Sequence, residues 1–89
     1  MEYTLVTGAT GGLGGEFCRQ LVATDNLFLT GRSKEKLEDL RSELLKISPN
    51  AEIEIFPADV TSEDGRKALF DYATGKNAIF SGLMNVAGV

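Results

Sequence analysis

An α/β fold built on a parallel sheet is predicted by two features of this 89-residue chain: apolar segments of two kinds alternate along it, and glycines separate the first two. Short apolar runs bounded by turn residues are typical of buried strands, whereas apolar residues that recur every three or four positions indicate helices. The predicted order is strand, helix, strand, helix, strand, helix, strand, which favours parallel strands joined by right-handed crossovers. We therefore predict the N-terminal half of a doubly wound parallel sheet, with helices on both faces.

The first strand is predicted at residues 3–7 and the first helix at residues 12–23, on either side of the glycines. Gly8 lets the chain turn tightly out of the strand, Gly12 keeps the backbone near a bound pyrophosphate, and Gly14 lets the helix pack against the strand. The N–H groups of the helix N-terminus carry a partial positive charge of about half an elementary unit, which suits phosphates. This arrangement predicts a Rossmann-like dinucleotide site.

Two interpretations of the glycine loop are open, because such a loop can also be a plain turn without a ligand. Its position between strand and helix favours dinucleotide binding, and no lysine follows the glycines as a P-loop requires. Six residues of the loop are predicted to contact the cofactor. They are Gly8, Thr10, Gly11, Gly12, Leu13 and Gly14.

The second strand and the second helix have clear local signals. Residues 27–30 form an apolar run that Gly31 closes, as expected of a buried strand. Ser33 is the expected N-cap of the next helix, which Pro49 and Asn50 end. Four apolar residues of this helix recur at spacings of three, four and three, and so form one stripe. They are Leu37, Leu40, Leu44 and Ile47.

The third strand is predicted at residues 53–57 and the fourth at residues 79–86. Between them, Thr61 and Asp64 resemble a capping box for a helix that runs through about Tyr72. The carboxyl ends of all four strands are then expected to line one crevice, because open α/β sheets bind ligands there.

The exit of the second strand predicts which dinucleotide binds. Sites that select NAD carry an acid here for the ribose 2′-hydroxyl, but Thr30 and Gly31 hold this position. Arg32 offers a planar fork of donors for a 2′-phosphate, and Ser33 adds a hydroxyl and a backbone N–H. The pattern favours NADP over NAD, the alternative for Arg32 being a solvated surface arginine.

Asp59 and Val60 follow the third strand and are also predicted to contact the cofactor. The carboxylate of Asp59 can accept a hydrogen bond from the adenine amino group. The alternative is that Asp59 only caps the local turn.

Four stretches of the chain resemble the N-terminal part of a short-chain dehydrogenase/reductase. The resemblance covers residues 7–88, and its last stretch departs from the family's Asn-Asn-Ala-Gly pattern at Val86. It implies that Asn85, Ala87 and Gly88 contact the cofactor. The four stretches are Thr7-Gly8-x-x-x-Gly12-x-Gly14, Gly31-Arg32-Ser33, Asp59-Val60 and Asn85-Val86-Ala87-Gly88.

The same glycine loop also reads Thr7-Gly8-x-x-Gly11-x-x-Gly14, which satisfies the motif of the extended branch of this family. That branch includes sugar-nucleotide epimerases and dehydratases, so the loop does not separate the branches. The run from Asn85 to Gly88 favours the single-domain dehydrogenase branch.

The resemblance implies an NADP-dependent oxidoreductase that transfers hydride between nicotinamide and the carbonyl or alcohol of a small-molecule substrate. The family's catalytic Ser, Tyr and Lys would lie beyond Val89, so we predict no catalytic residue here and expect the chain to be inactive alone. Two alternatives stay open: a dinucleotide-binding regulatory module without chemistry, and the cofactor half of an extended-branch epimerase or dehydratase.

Tyr72 and Lys76 have the Tyr-x-x-x-Lys spacing of that catalytic pair but precede the fourth strand. Gly75 is expected to interrupt the helical turn that would place them on one face. We therefore interpret Tyr72 as a packing residue at a helix end.

We expect residues 1–89 to be a cofactor-binding domain truncated after its fourth strand, which would leave that strand's edge bare. Leu83, Met84 and Val86 would then be exposed and would favour self-association, consistent with a homo-oligomer.

Composition excludes several other classes. The net charge is −4 and the nine basic residues are scattered, so no nucleic-acid partner is expected. No apolar run approaches the roughly 20 residues of a membrane span, and no signal sequence is recognisable, so we expect a cytoplasmic protein without a membrane partner. The single Cys18 cannot form an internal disulfide and is interpreted as helix packing. Without any histidine, no metal site is predicted.

Overall fold

The computed structural model describes residues 1–85 and confirms the predicted order of elements. Strands and helices alternate from end to end of this range. They are β1 (Glu2–Thr7), α1 (Gly12–Leu21), β2 (Leu27–Gly31), α2 (Lys34–Ile47), β3 (Ile53–Pro57), α3 (Glu63–Gly75) and β4 (Ile79–Asn85). Val86, which was predicted in the fourth strand, lies outside the described residues, as do Ala87 and Gly88.

The four strands form one parallel sheet in the order β3-β2-β1-β4. The chain moves from β1 outward to β3 and then returns to the other side of β1, where Thr7 pairs with Asn85. The strand order therefore reverses between β1 and β4, and ligands of doubly wound sheets bind outside the carboxyl ends of the strands at such a point.

Helices cover both faces of the sheet, as predicted. Along β2, Leu27 and Leu29 point to the face covered by α1 and α2, while Phe28 points to the face covered by α3. All three side chains are fully buried, because β2 lies inside the sheet with helices on both sides. The alternation explains why this strand reads as a continuous apolar run.

Aromatic rings dominate the α3 face. The ring of Phe28 lies edge-on to Tyr3, Tyr72 and Phe80, with centroids 5.8, 6.0 and 5.1 Å apart. The ring of Tyr72 also stacks on Phe56 at 4.7 Å, which confirms that Tyr72 is a packing residue.

The expected break at Gly75 is wrong. Helix α3 continues through Gly75, and Lys76 follows as its C-cap. The Lys76 Nζ consequently lies 5.6 Å from the ring centroid of Tyr72, so the two residues share a face. A single glycine in the last turn costs a helix only about 1 kcal/mol relative to alanine, and the packing of Tyr72 offsets this cost.

The two predicted N-caps have different outcomes. The Oγ of Ser33 accepts a hydrogen bond from the Lys36 N–H at 3.2 Å, so the cap of α2 is confirmed. The capping box at Thr61 is wrong, because the Oγ of Ser62 accepts the Gly65 N–H at 2.9 Å and caps α3. Thr61 is engaged elsewhere: its N–H and its hydroxyl both donate to the carboxylate of Asp59.

The β4 margin, which we define as β4 together with the adjoining Phe70 of α3, is only partly covered. Leu83 is 64% exposed, as expected for an edge strand. Met84 is less exposed than expected and is partly buried, because it pairs with Val6 and packs against the core beneath α1 and α2. Successive residues of a strand point to opposite faces, so only one of these neighbours remains bare.

Candidate functional site

The glycine loop takes the tight course predicted for it. Gly8 has a φ of 66°, a left-handed conformation that favours glycine, and its carbonyl accepts the Gly11 N–H at 3.1 Å. Gly11 is the N-cap of α1 and has no side chain with which to cap the helix. The N-terminus of α1 is thus left without the side-chain cap that α2 and α3 have, which suits an anionic ligand.

Gly14 and Gly12 differ in what surrounds them. A Cβ on Gly14 would collide with the carbonyl oxygen of Gly8 and lie 3.0 Å from the Ala9 Cα, so only glycine permits this contact between α1 and the loop. A Cβ on Gly12 would meet no atom within 4 Å. Gly14 therefore serves packing, as predicted, while Gly12 borders open space where the backbone can approach a pyrophosphate.

A cleft of about 340 Å³ lies at the carboxyl ends of β1, β2 and β3. It brings together residues from three connections that are distant in the sequence, as the crossover topology predicts. Among the predicted cofactor contacts, the cleft is lined by Gly8, Thr10, Arg32, Ser33, Asp59 and Val60.

A neighbouring groove of about 530 Å³ runs between α1 and α2. Thr10, Gly11 and Gly12 line this groove, and Thr10 also lines the cleft, so the glycine loop forms the ridge between the two. Leu13 lines neither and is 53% exposed, which does not place its side chain at the site. Contact of each residue with a cofactor stays a prediction.

Arg32 and Asp59 face each other across the cleft. An Arg32 guanidinium nitrogen lies 3.6 Å from the Asp59 Oδ1, and the two side chains are 75% and 44% exposed. Exposed ion pairs of this kind contribute little to stability and exchange partners readily. The guanidinium of Arg32 lines the cleft, and its remaining N–H donors are available to a ligand.

The Asp59 carboxylate also organises its own turn, which is one of the two roles considered for it. It accepts hydrogen bonds from the hydroxyl and the N–H of Thr61, and these bonds, with a smaller contribution from Arg32, hold the pKa of Asp59 below its usual value. The carboxylate is therefore charged at neutral pH. Contact with adenine stays a prediction.

Asn85 lies beside the glycine loop rather than in the cleft. The Thr7 hydroxyl donates to the Asn85 Oδ1 at 2.7 Å and ties the carboxyl ends of β1 and β4 together. Ala87 and Gly88, the other two predicted contacts of this stretch, lie outside the described residues.

Sequence reasoning missed Lys36, which lines both the cleft and the groove. The sequence contained a signal for this position, because Lys36 follows the cap Ser33 by three residues and so belongs to the first turn of α2, at the carboxyl end of β2.

Cys18 lies in the core beneath α1 and α2, fully buried. Burial raises the pKa of its thiol to about 11, so the thiol is neutral at physiological pH, in keeping with a packing role. Within residues 1–85 the structure places no His, Cys, Asp and Glu side chains close enough together to hold a metal ion. Over the same range, no helix has the length and apolar character needed to cross a membrane.

Comparison with known proteins gives concordant matches. The family model for short chain dehydrogenase matches residues 2–89. Short-chain dehydrogenase/reductase 1 from Saponaria officinalis is 35% identical over 90 residues, which cover 99% of this chain and 30% of that protein. The very-long-chain 3-oxoacyl-CoA reductase of Scheffersomyces stipitis is 34% identical over 76 residues, covering 83% of this chain and 22% of that protein.

Solved structures give the same result. A variant of actinorhodin polyketide ketoreductase, solved with NADPH, superimposes with a TM-score of 0.84 at 31% identity, covering 99% of this chain and 33% of that one. The chain thus spans between about a fifth and a third of the length of these proteins.

Proposed function

The chain belongs to the short-chain dehydrogenase family, and from this premise we propose that it supplies the cofactor-binding half of an NADP-dependent oxidoreductase. The reaction would transfer hydride between nicotinamide and the carbonyl or alcohol of a small-molecule substrate. The observation that supports the proposal is the cleft, which lacks an acid at the end of β2, where Thr30 and Gly31 lie, and has Arg32 and Ser33 directly after that position.

The residues present fit a phosphorylated dinucleotide. The uncapped N-terminus of α1 and the open space at Gly12 provide room and donors for the pyrophosphate. Asp59 and Val60 line the part of the cleft at the end of β3, where the adenine would lie. When bound, the cofactor supplies the hydride chemistry, and the residues described here bind and orient it.

Arg32 supports the choice of NADP. Its guanidinium is a planar fork that matches a phosphate, and at 75% exposure it reaches the mouth of the cleft. Ser33 adds its backbone N–H and its hydroxyl, since the Oγ accepts a hydrogen bond from the Lys36 N–H and can still donate its own proton. The relative solved with NADPH is consistent with this choice.

The proposal is tested by Arg32→Ala with NADPH and NADH titrated in parallel. We expect NADPH binding to weaken by on the order of 1.5 to 3 kcal/mol and NADH binding to change far less, because a charged hydrogen-bond pair to the 2′-phosphate is lost. Arg32→Lys should fall between the two, since it keeps the charge and loses the fork. Equal losses of affinity for NADPH and NADH would show that Arg32 does not bind the 2′-phosphate.

A further inference from the structure

We propose that Lys36 is a second cation for the 2′-phosphate, so that discrimination between NADP and NAD depends on Lys36 together with Arg32. The inference rests on the proposed function and adds a specificity-determining residue outside the motifs that the sequence analysis identified. Three observations carry it: the position of Lys36, the charge balance of the cleft, and the contrast with Lys34.

The position of Lys36 is fixed by its backbone. Lys36 is the third residue of α2, and its N–H donates to the Oγ of the cap Ser33 at 3.2 Å. From there Lys36 lines the cleft with Arg32 and the groove with Gly12. It therefore stands between the exit of β2 and the glycine loop, where a ribose phosphate would lie.

The charge balance of the cleft depends on Lys36. Three charged residues line the cleft: Arg32, Lys36 and Asp59. Arg32 forms an ion pair with Asp59 at 3.6 Å, so these two charges offset each other. Lys36 therefore provides the excess positive charge. A phosphate monoester carries roughly two negative charges near neutral pH, so a cleft without Lys36 would meet this group without a net positive charge.

Among the described residues, no acid on the groove side of Lys36 forms an ion pair with it. Glu43 is engaged by Arg19 at 3.2 Å, and Asp39 makes no ion pair with Lys36 among the described residues. Lys34, by contrast, pairs with Glu38 at 3.9 Å and does not line the cleft. The two lysines are both exposed and lie two residues apart in the first turn of α2, which makes Lys34 a matched control.

The test compares Lys36→Gln with Lys34→Gln in the 89-residue chain, using adenosine 2′,5′-bisphosphate and adenosine 5′-monophosphate as probes in calorimetric titrations. We expect Lys36→Gln to weaken binding of the bisphosphate by roughly tenfold, as for a lost charged hydrogen bond, and binding of the monophosphate by less than about twofold. Lys34→Gln should change both by less than about twofold. Lys36→Arg should retain most of the preference, because it retains the charge.

Charge screening provides a second readout. The difference between wild type and Lys36→Gln should shrink as ionic strength rises, since an exposed cation acts through a screened field. Asp59→Asn should have the opposite effect and raise the preference for the bisphosphate, because Arg32 is then no longer countered.

The outcomes separate this inference from the proposed function. If the wild type prefers the bisphosphate, Arg32→Ala abolishes the preference and Lys36→Gln behaves like Lys34→Gln, then Lys36 is not part of the subsite and the NADP assignment stands. If the wild type shows no preference, or binds neither probe, the proposed function fails and the role of Lys36 fails with it.

Discussion

The face of the sheet beneath α1 and α2 contrasts with the β4 margin. On the first face, Leu27, Leu29 and Leu44 have no exposed surface, and two helices close over them. At the margin, Leu83 is 64% and Ile79 60% exposed. The half of the molecule that carries the cleft, which we call the closed half, completes its packing with the chain's own residues, whereas β4 leaves apolar side chains exposed.

The glycine loop, Arg32 and Lys36 all rest on elements of the closed half, so their geometry does not depend on what covers β4. Asn85 is the exception, because it lies at the end of β4 and is tied to the loop through Thr7.

The comparison is tested most strongly by truncating one leucine in each region. Leu29→Ala should lower the free energy of unfolding by about 2 to 5 kcal/mol, because it opens a cavity in a closed core. Leu83→Ala should change it by no more than about 0.5 kcal/mol, as expected of an exposed side chain. Urea unfolding of both variants measures the difference.

Sedimentation of the same two proteins provides a control for self-association, which we expect Leu83→Ala to reduce. Comparable destabilisation by the two substitutions would mean that the β4 margin is as tightly packed as the α1 and α2 face.

The second prediction concerns two glycines of the closed half, one expected to serve packing and the other ligand binding. Each is replaced by valine. Gly14→Val should cost about 1 to 3 kcal/mol of stability, because its side chain meets the loop backbone. Gly12→Val should leave the helical circular dichroism and the melting temperature almost unchanged but abolish binding of either dinucleotide, since its side chain enters the pyrophosphate path. Unchanged affinity of Gly12→Val for both dinucleotides would show that the loop is a plain turn without a ligand.

The third prediction has the smallest expected effect. It uses the titration of the Cys18 thiol to test whether water reaches the core beneath α1 and α2. Burial raises the pKa of the thiol to about 11, so its contribution to stability is complete below the ordinary value of 9.0 and is lost as the pH rises through 11. The loss should reach roughly 1 kcal/mol by pH 10.

Urea unfolding at pH 8 and pH 10 measures this loss, and Cys18→Ala should have a flatter pH dependence than the wild type. Parallel curves for the two proteins would show that water reaches the thiol.

Most of the fold could be predicted from the sequence because its signals are local and agree with one another. The apolar run at residues 27–30, the Ser33 cap and the stripe that begins at Leu37 each indicate one structure, and the parallel sheet follows from their order. The errors occurred where two neighbouring residues were both compatible with the sequence pattern and a contact in the folded chain decided between them. Asp59 engages Thr61 and leaves the helix cap to Ser62, and the pleat of β4 turns Met84 toward the core, where it is partly buried.

The candidate site was less accessible to sequence reasoning. Motif positions identified Arg32 and Asp59, but their distance of 3.6 Å depends on how β2 and β3 align. Lys36 belongs to no motif, and only the start of α2 beside the glycine loop brings it to the cleft.

We propose that the cleft at the ends of β1, β2 and β3 binds a dinucleotide through its 2′-phosphate. Calorimetric titration of the wild-type chain with 2′-phospho-ADP-ribose and with ADP-ribose tests it most directly. We expect binding of the phosphorylated ligand to be stronger by about tenfold or more, corresponding to at least one charged hydrogen bond. Equal affinity for the two ligands, or no binding of either, would contradict the claim.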